Sequence, residues 1–288
     1  MKLYTSNYLS QSISIIDYKT FKVESEIKLG PDIYPHHFCI EKEKNIMYIP
    51  SSFDGVLYVL DMKNEKIIDS VSIGGNLSQV LLCKQELFIA NEDSNSIYVL
   101  NKNTLEPICV ISVDNMPHGF AFDIKSNKLY VPCINSILCI DSISKNVENK
   151  IDMNCKAWHI KIDNNKDHIY ISTLDGKIIV LDKHELKLIN IIEDLLIPVE
   201  LCINYVKGCI YIADLGYKAI KILDYNSHEE VGCITVDGNP QGLELSKDNK
   251  YIFVTDTYHN SVKVYDTNNN ELIKEIKVGK EPTTILFA

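Results

Sequence analysis

Four of the eight histidines stand at the start of short, similar stretches: PHHF at 35–38, PHGF at 117–120 and AWHI at 157–160. LSQV (77–80), PVEL (198–201), PQGL (240–243) and PTTI (282–285) are their equivalents. Lined up, the seven stretches give two columns. The first holds His36, Ser78, His118, Trp158, Val199, Gln241 and Thr283; the second holds His37, Gln79, Gly119, His159, Glu200, Gly242 and Thr284. Imidazoles, a carboxylate, amides and an indole brought to a common point form a binding surface. The candidate ligand-binding residues are therefore His36, His37, His118, Trp158, His159, Glu200 and Gln241. Two imidazoles and a carboxylate also suit a transition ion, so His37, His159 and Glu200 are the candidate metal ligands. An ion there could acidify a bound water for metal-assisted lyase or hydrolase chemistry. The plainer alternative is that these histidines hydrogen-bond backbone or channel water.

Residues so far apart in the chain meet only if a repeated architecture brings them together. A strand opening on an aliphatic–aromatic pair recurs as LYTSN, MYIPS, LFIAN, LYVPC, IYIST, IYIAD and IFVTD. Its aromatic members, Tyr4, Tyr48, Phe88, Tyr130, Tyr170, Tyr211 and Phe253, are spaced by 44, 40, 42, 40, 41 and 42 residues. The next strand ends in an acid or its amide at Asp17, Asp61, Asn101, Asp141, Asp182, Asp224 and Asp266, in step with the first marker. A period of 40–45 residues with four strand-like runs per copy predicts a β-propeller. One copy reads as strand a in PQGLELS, b in KYIFVTD, c in SVKVYDT and d in ELIKEIKVG. Asp54-Gly55 and Asp175-Gly176 supply tight turns between b and c. The fold class is thus all-β: seven four-stranded antiparallel blades in one domain, residues 1–288. Because the chain starts in a strand b and ends in a strand a, residues 282–288 are expected to complete the blade of residues 1–30 and close the ring.

The FVTD at Phe253–Asp256, with YIAD and FIAN at equivalent places, resembles the tetrapeptide of the YVTN-type repeats, and the chain looks like the YncE-like branch of that family. The Gly-His and Trp-Asp markers of WD40 repeats are missing. The resemblance implies a propeller that binds a ligand. Haem d1 domains look similar, and virginiamycin B lyase is a related propeller with a magnesium ion near its channel, but no local motif carries residues across.

Loops leading into strand a and loops joining b to c share one face of a propeller, where ligands bind. The b–c loops add Tyr8, Phe53, Asp93, Tyr217, Tyr258 and His259 to that rim. The acids that recur after strand c are expected to bond their own backbone in turns. No Gly-rich phosphate loop, G-x-S-x-G elbow, H-E-x-x-H or EF-hand loop occurs.

A formal charge of −10 disfavours nucleic acid and anionic membranes as partners. All 29 basic residues are lysine, so the bidentate phosphate clamp of arginine is unavailable to the chain. The nine cysteines include no C-x-x-C pair and read as small hydrophobes. No stretch resembles a signal peptide or a membrane span, which predicts a cytoplasmic protein. The expectation is a non-enzymatic monomer that binds a small molecule or a peptide or protein. No cofactor is expected beyond a divalent metal under the alternative reading.

Overall fold

Alternating, β-branched segments should pair as strands, and they do. The computed structural model describes residues 2–288, and every regular element in them is a β-strand. The hairpin of strands Tyr251–Asp256 and Ser261–Asp266 sits inside a sheet flanked by Pro240–Leu245 and Leu272–Lys277. That order, a-b-c-d from axis to rim, repeats around the molecule as a β-propeller of antiparallel blades.

The sheets number six where the repeat predicts seven: five have four strands and one has six. The difference lies in two long strands, Lys128–Asp141 and Val147–Asp163. In the first, only Val131, Pro132 and Cys133 divide the residues that pair with Ala121–Asp123 from those that pair with the second long strand, where the register shifts at Asn135, φ 67°. In the second, residues up to Lys156 pair backward and residues from Ala157 pair forward with His168–Thr173. Five other stretches begin strand a with proline, whereas this one has Ala157. The Leu77 stretch also lacks proline but follows Gly74 and Gly75 at positive φ; before Ala157 there is neither break, and the chain runs on extended.

Apolar faces meet between sheets. One cluster joins Val199, Tyr211 and Ile222 to Leu243, Ile252 and Tyr265 on the next sheet. Another packs Ala121, Tyr130 and Ile137 against Ile160, Ile169 and Ile179, so the two halves of the six-stranded sheet lie face to face. At the seam, Leu3, Ile16, Ile285 and Phe287 pack on Phe253, Val262 and Ile276. There the last strand, Pro282–Phe287, pairs with the first, Lys2–Asn7, through Leu3↔Phe287, Tyr4↔Leu286 and Thr5↔Ile285.

The turns after strand c behave as the sequence indicates. Asp61 Oδ1 accepts from the backbone N–H of Lys63 and Asn64, and Asp224 Oδ1 accepts from Asn226 and Ser227. The nine cysteines are free, and Cys83, Cys133, Cys139, Cys155, Cys202 and Cys209 are buried. No helix among the described residues is long and apolar enough to cross a membrane.

Candidate functional site

The stretches that open each strand a converge at one end of the central channel. Two adjoining cavities, of about 60 and about 310 Å³, share His37, His159, Lys161, Glu200 and Thr284. His36, Val199, Gln241, Glu244 and Thr283 line the smaller; Gln79, Gly119 and Phe120 line the larger. The histidine rings nearly touch. Ring centroids are 4.5 Å apart for His36 and His37, 5.3 Å for His37 and His159, and 5.2 Å for His118 and His159. Trp158 stacks on His118 at 3.5 Å and 21°. All seven candidate ligand-binding residues therefore lie at this mouth.

Two side chains outside that candidate set orient the rings. Glu92, buried in the turn after Glu86–Asn91, sets Oε1 2.5 Å from His118 Nδ1, and its Oε2 accepts from Asn76 Nδ2 at 2.7 Å. Thr284 Oγ1 lies 2.8 Å from His37 Nδ1 and 2.8 Å from the carbonyl oxygen of His36. The buried His36 Nδ1, His37 Nε2 and His118 Nε2 have no protein hydrogen-bond partner. One ring nitrogen from each of His37, His118 and His159 lies within 4.8 Å of the others. This is the group that could hold a metal; Glu200 lines the cavity outside it.

The charge states follow from burial. Desolvation, then the neighbouring His159, lowers His36 to about 4. Desolvation and the other histidines hold His37 and His118 well below the usual imidazole range. His159 is lowered by desolvation, with Glu200 opposing. Desolvation and then Asp93 raise Glu92 to about 7. Deeper in the channel, desolvation lowers Lys161, but Glu200 and Glu244 outweigh it and the net shift is upward.

Around the mouth, Tyr8 and Phe53 each lie 5.2 Å from Tyr34, and Tyr8 meets His36 edge-on at 6.1 Å. Phe53, Tyr217 and Tyr258 are exposed. His259 is tied to Asp256 at 2.8 Å, and Asp93 accepts from Asn76 N at 3.0 Å.

Sequence reasoning missed Glu92, Lys161, Glu244 and Tyr34, and named Thr284 only as a column member. Glu92 carried a signal: it is the one glutamate immediately after a b-strand marker, LFIAN, on the face of the columns.

No family model matches the chain. A curated relative, antigen Lp49 of Leptospira interrogans, is 22% identical over 273 residues, a match covering 91% of this chain and 44% of that protein. The chain thus spans less than half the length of that relative. Among solved structures, a Lactobacillus plantarum protein superposes with a TM-score of 0.85 at 11% identity, over 100% of both chains. A Bacteroides fragilis protein provisionally named a 6-phosphogluconolactonase gives 0.84 at 14% identity, over 100% of this chain and 97% of that one. Dihydro-heme d1 dehydrogenase, in complex with its ligand DHE, gives 0.73 at 13% identity, over 99% of this chain and 74% of that one. At such identities the likeness is one of fold.

Proposed function

We propose that the chain is a non-enzymatic binding propeller of the YVTN, YncE-like kind, a single domain that takes a small molecule or a peptide at the histidine-rich mouth of its channel. Counted by repeat, the blades are seven. Seven apolar clusters, each straddling two neighbouring blades, support that count. A cytoplasmic monomer is part of the same proposal.

The observation that carries the binding reading is the set of three buried ring nitrogens with no protein partner, on rings that edge a cavity. A buried polar group left unpaired costs about 1–3 kcal/mol, which a bound ligand can offset. The aromatic set Tyr8, Tyr34 and Phe53 offers a flat rim beside His36.

A thermal-shift screen of small carboxylates, amino acids and short peptides tests the reading. A true ligand raises the melting temperature of the wild type. His159→Ala and Glu200→Gln keep their own melting temperatures and lose that rise. A rise that survives both substitutions places binding elsewhere, and a His159→Ala protein that unfolds makes the histidine structural.

A second reading, metal-assisted lyase or hydrolase chemistry at the same mouth, is favoured by the close approach of three imidazoles. Turnover abolished by a chelator and restored by one metal is its mark.

A further inference from the structure

We propose that His37, His118 and His159 together bind one divalent transition ion of the zinc and cobalt class, with Thr284 and Glu92 fixing the tautomers of the first two rings. This deepens the binding reading and rests on the mouth being a ligand site.

The hydrogens available at the mouth fix the tautomers. The Thr284 hydroxyl has one hydrogen and two neighbours at 2.8 Å. The His36 carbonyl can only accept, so the hydroxyl donates to it. The Thr284 oxygen then accepts from His37 Nδ1–H, which leaves His37 Nε2 with a bare lone pair. Glu92 plays the same part for His118. As a carboxylate, Glu92 accepts from Asn76 through Oε2 and from His118 Nδ1–H through Oε1, the tautomer that leaves that Nε2 bare as well. Both of these nitrogens are buried, and neither meets a protein donor. Two bare lone pairs converging with His159 call for a cation or a hydrogen-bond donor between them, and three imidazole nitrogens within 4.8 Å of one another suit a cation.

The outer contacts match what ligating histidines need. A ligating imidazole ordinarily donates its second N–H to a carboxylate or another acceptor, which fixes the ring and raises its basicity. Glu92 and Thr284 supply one acceptor each, and Trp158 clamps the plane of His118. Electrostatics favour a cation: Glu92, Glu200 and Glu244 stand at the mouth and channel with Lys161 as the lysine lining the cavity.

Three neutral imidazoles select zinc, cobalt, nickel or copper over magnesium and calcium, which take oxygen ligands. Nitrogens around a tetrahedral zinc are roughly 3.3 Å apart, so the rings close inward by about 1 Å on loading. Three protein ligands leave the ion a position for water or an organic ligand, on the cavity side where Glu200 and Gln241 lie.

The test uses the full chain without a histidine tag, stripped by dialysis against a chelator. Zinc is titrated by calorimetry and cobalt by visible absorption. One ion per chain is expected, with an absorption spectrum of nitrogen-bound, low-coordinate cobalt. His118→Ala should lose at least about 100-fold in affinity, and Glu92→Gln about 10- to 100-fold. His184→Ala, an exposed histidine, should bind as the wild type does. The proposal is overturned if the wild type binds no better than a protein lacking all three histidines, or if Glu92→Gln leaves both affinity and spectrum unchanged. Should His118→Ala fail to fold, the wild-type cobalt spectrum and Glu92→Gln still decide. No metal, together with an organic ligand whose thermal shift still needs His159, sinks the ion alone; loss of both sinks the binding mouth too.

Discussion

Asp123 and Lys183 meet 2.9 Å apart with almost no exposure, joining the end of one strand a to the turn after strand c on the neighbouring blade. Glu41 and Lys102 repeat the contact at 2.6 Å, helped by the Tyr48 hydroxyl at 3.1 Å. At Asp163 two tyrosine hydroxyls, from Tyr205 and Tyr225, take the place of the lysine. Burial raises Asp123, but its bonds from Ser126 and Lys183 prevail and hold it below the usual carboxylate range. Removing one partner strands a buried charge, at a cost of about 3–5 kcal/mol. Lys183→Met should therefore lower stability by that amount in urea titration, and adding Asp123→Leu should recover most of it. A single variant as stable as the wild type would show that water reaches the pair. This latch was not legible in the sequence. A turn acid that bonds its own backbone, such as Asp61 or Asp224, is set by local spacing. An acid that reaches across blades depends on how two loops approach, and no local pattern records that.

Strands were far more legible. Alternation and period place the hairpin of Tyr251–Asp266, its flanking strands and the pairing of 282–287 with Lys2–Asn7. What the pattern could not show was the merging of two copies along Val147–Asp163, since an extended connection and a strand have the same alternation. The same limit applied to the mouth: the columns located His37, His118 and His159 but not the direction of their rings. The seam gives an element-scale prediction. Ile285 and Phe287 are buried at 2% and 7% exposure, and each contributes about 1.5–3 kcal/mol. Deleting residues 282–288 should cost about 3–6 kcal/mol from these two side chains, seen as a sharply lower melting temperature. Unchanged melting would mean the seam carries no weight.

Across the molecule, buried and half-buried neutral histidines set the acid limit. His36 titrates at about 4 in the fold, and burial also lowers His168 and His228. Unfolded, a histidine titrates near pH 6.5. Between about 6.5 and 4 the unfolded chain therefore binds more protons, and stability falls as pH falls. For His36 alone the loss at pH 5 is about 2 kcal/mol. Glu92, raised to about 7, and the raised Glu244 and Glu281 work in the opposite direction, three carboxyls against the six lowered histidines His36, His37, His118, His159, His168 and His228. Chelator-treated protein should melt several degrees lower at pH 5 than at pH 7. A melting temperature that holds steady or rises would mean the rings are solvated.

The seam also orders events in time. Thr5 and its partner Thr284 are separated by 279 residues. On a ribosome, strand Lys2–Asn7 would emerge with a free edge and wait for the 279 residues up to its mate to be made. Until then that edge is open to strands of other nascent chains. Ser6, Asn7, Ser12 and Ser14, all buried in the finished protein, make the waiting hairpin unusually polar and so a poor seed for clumping.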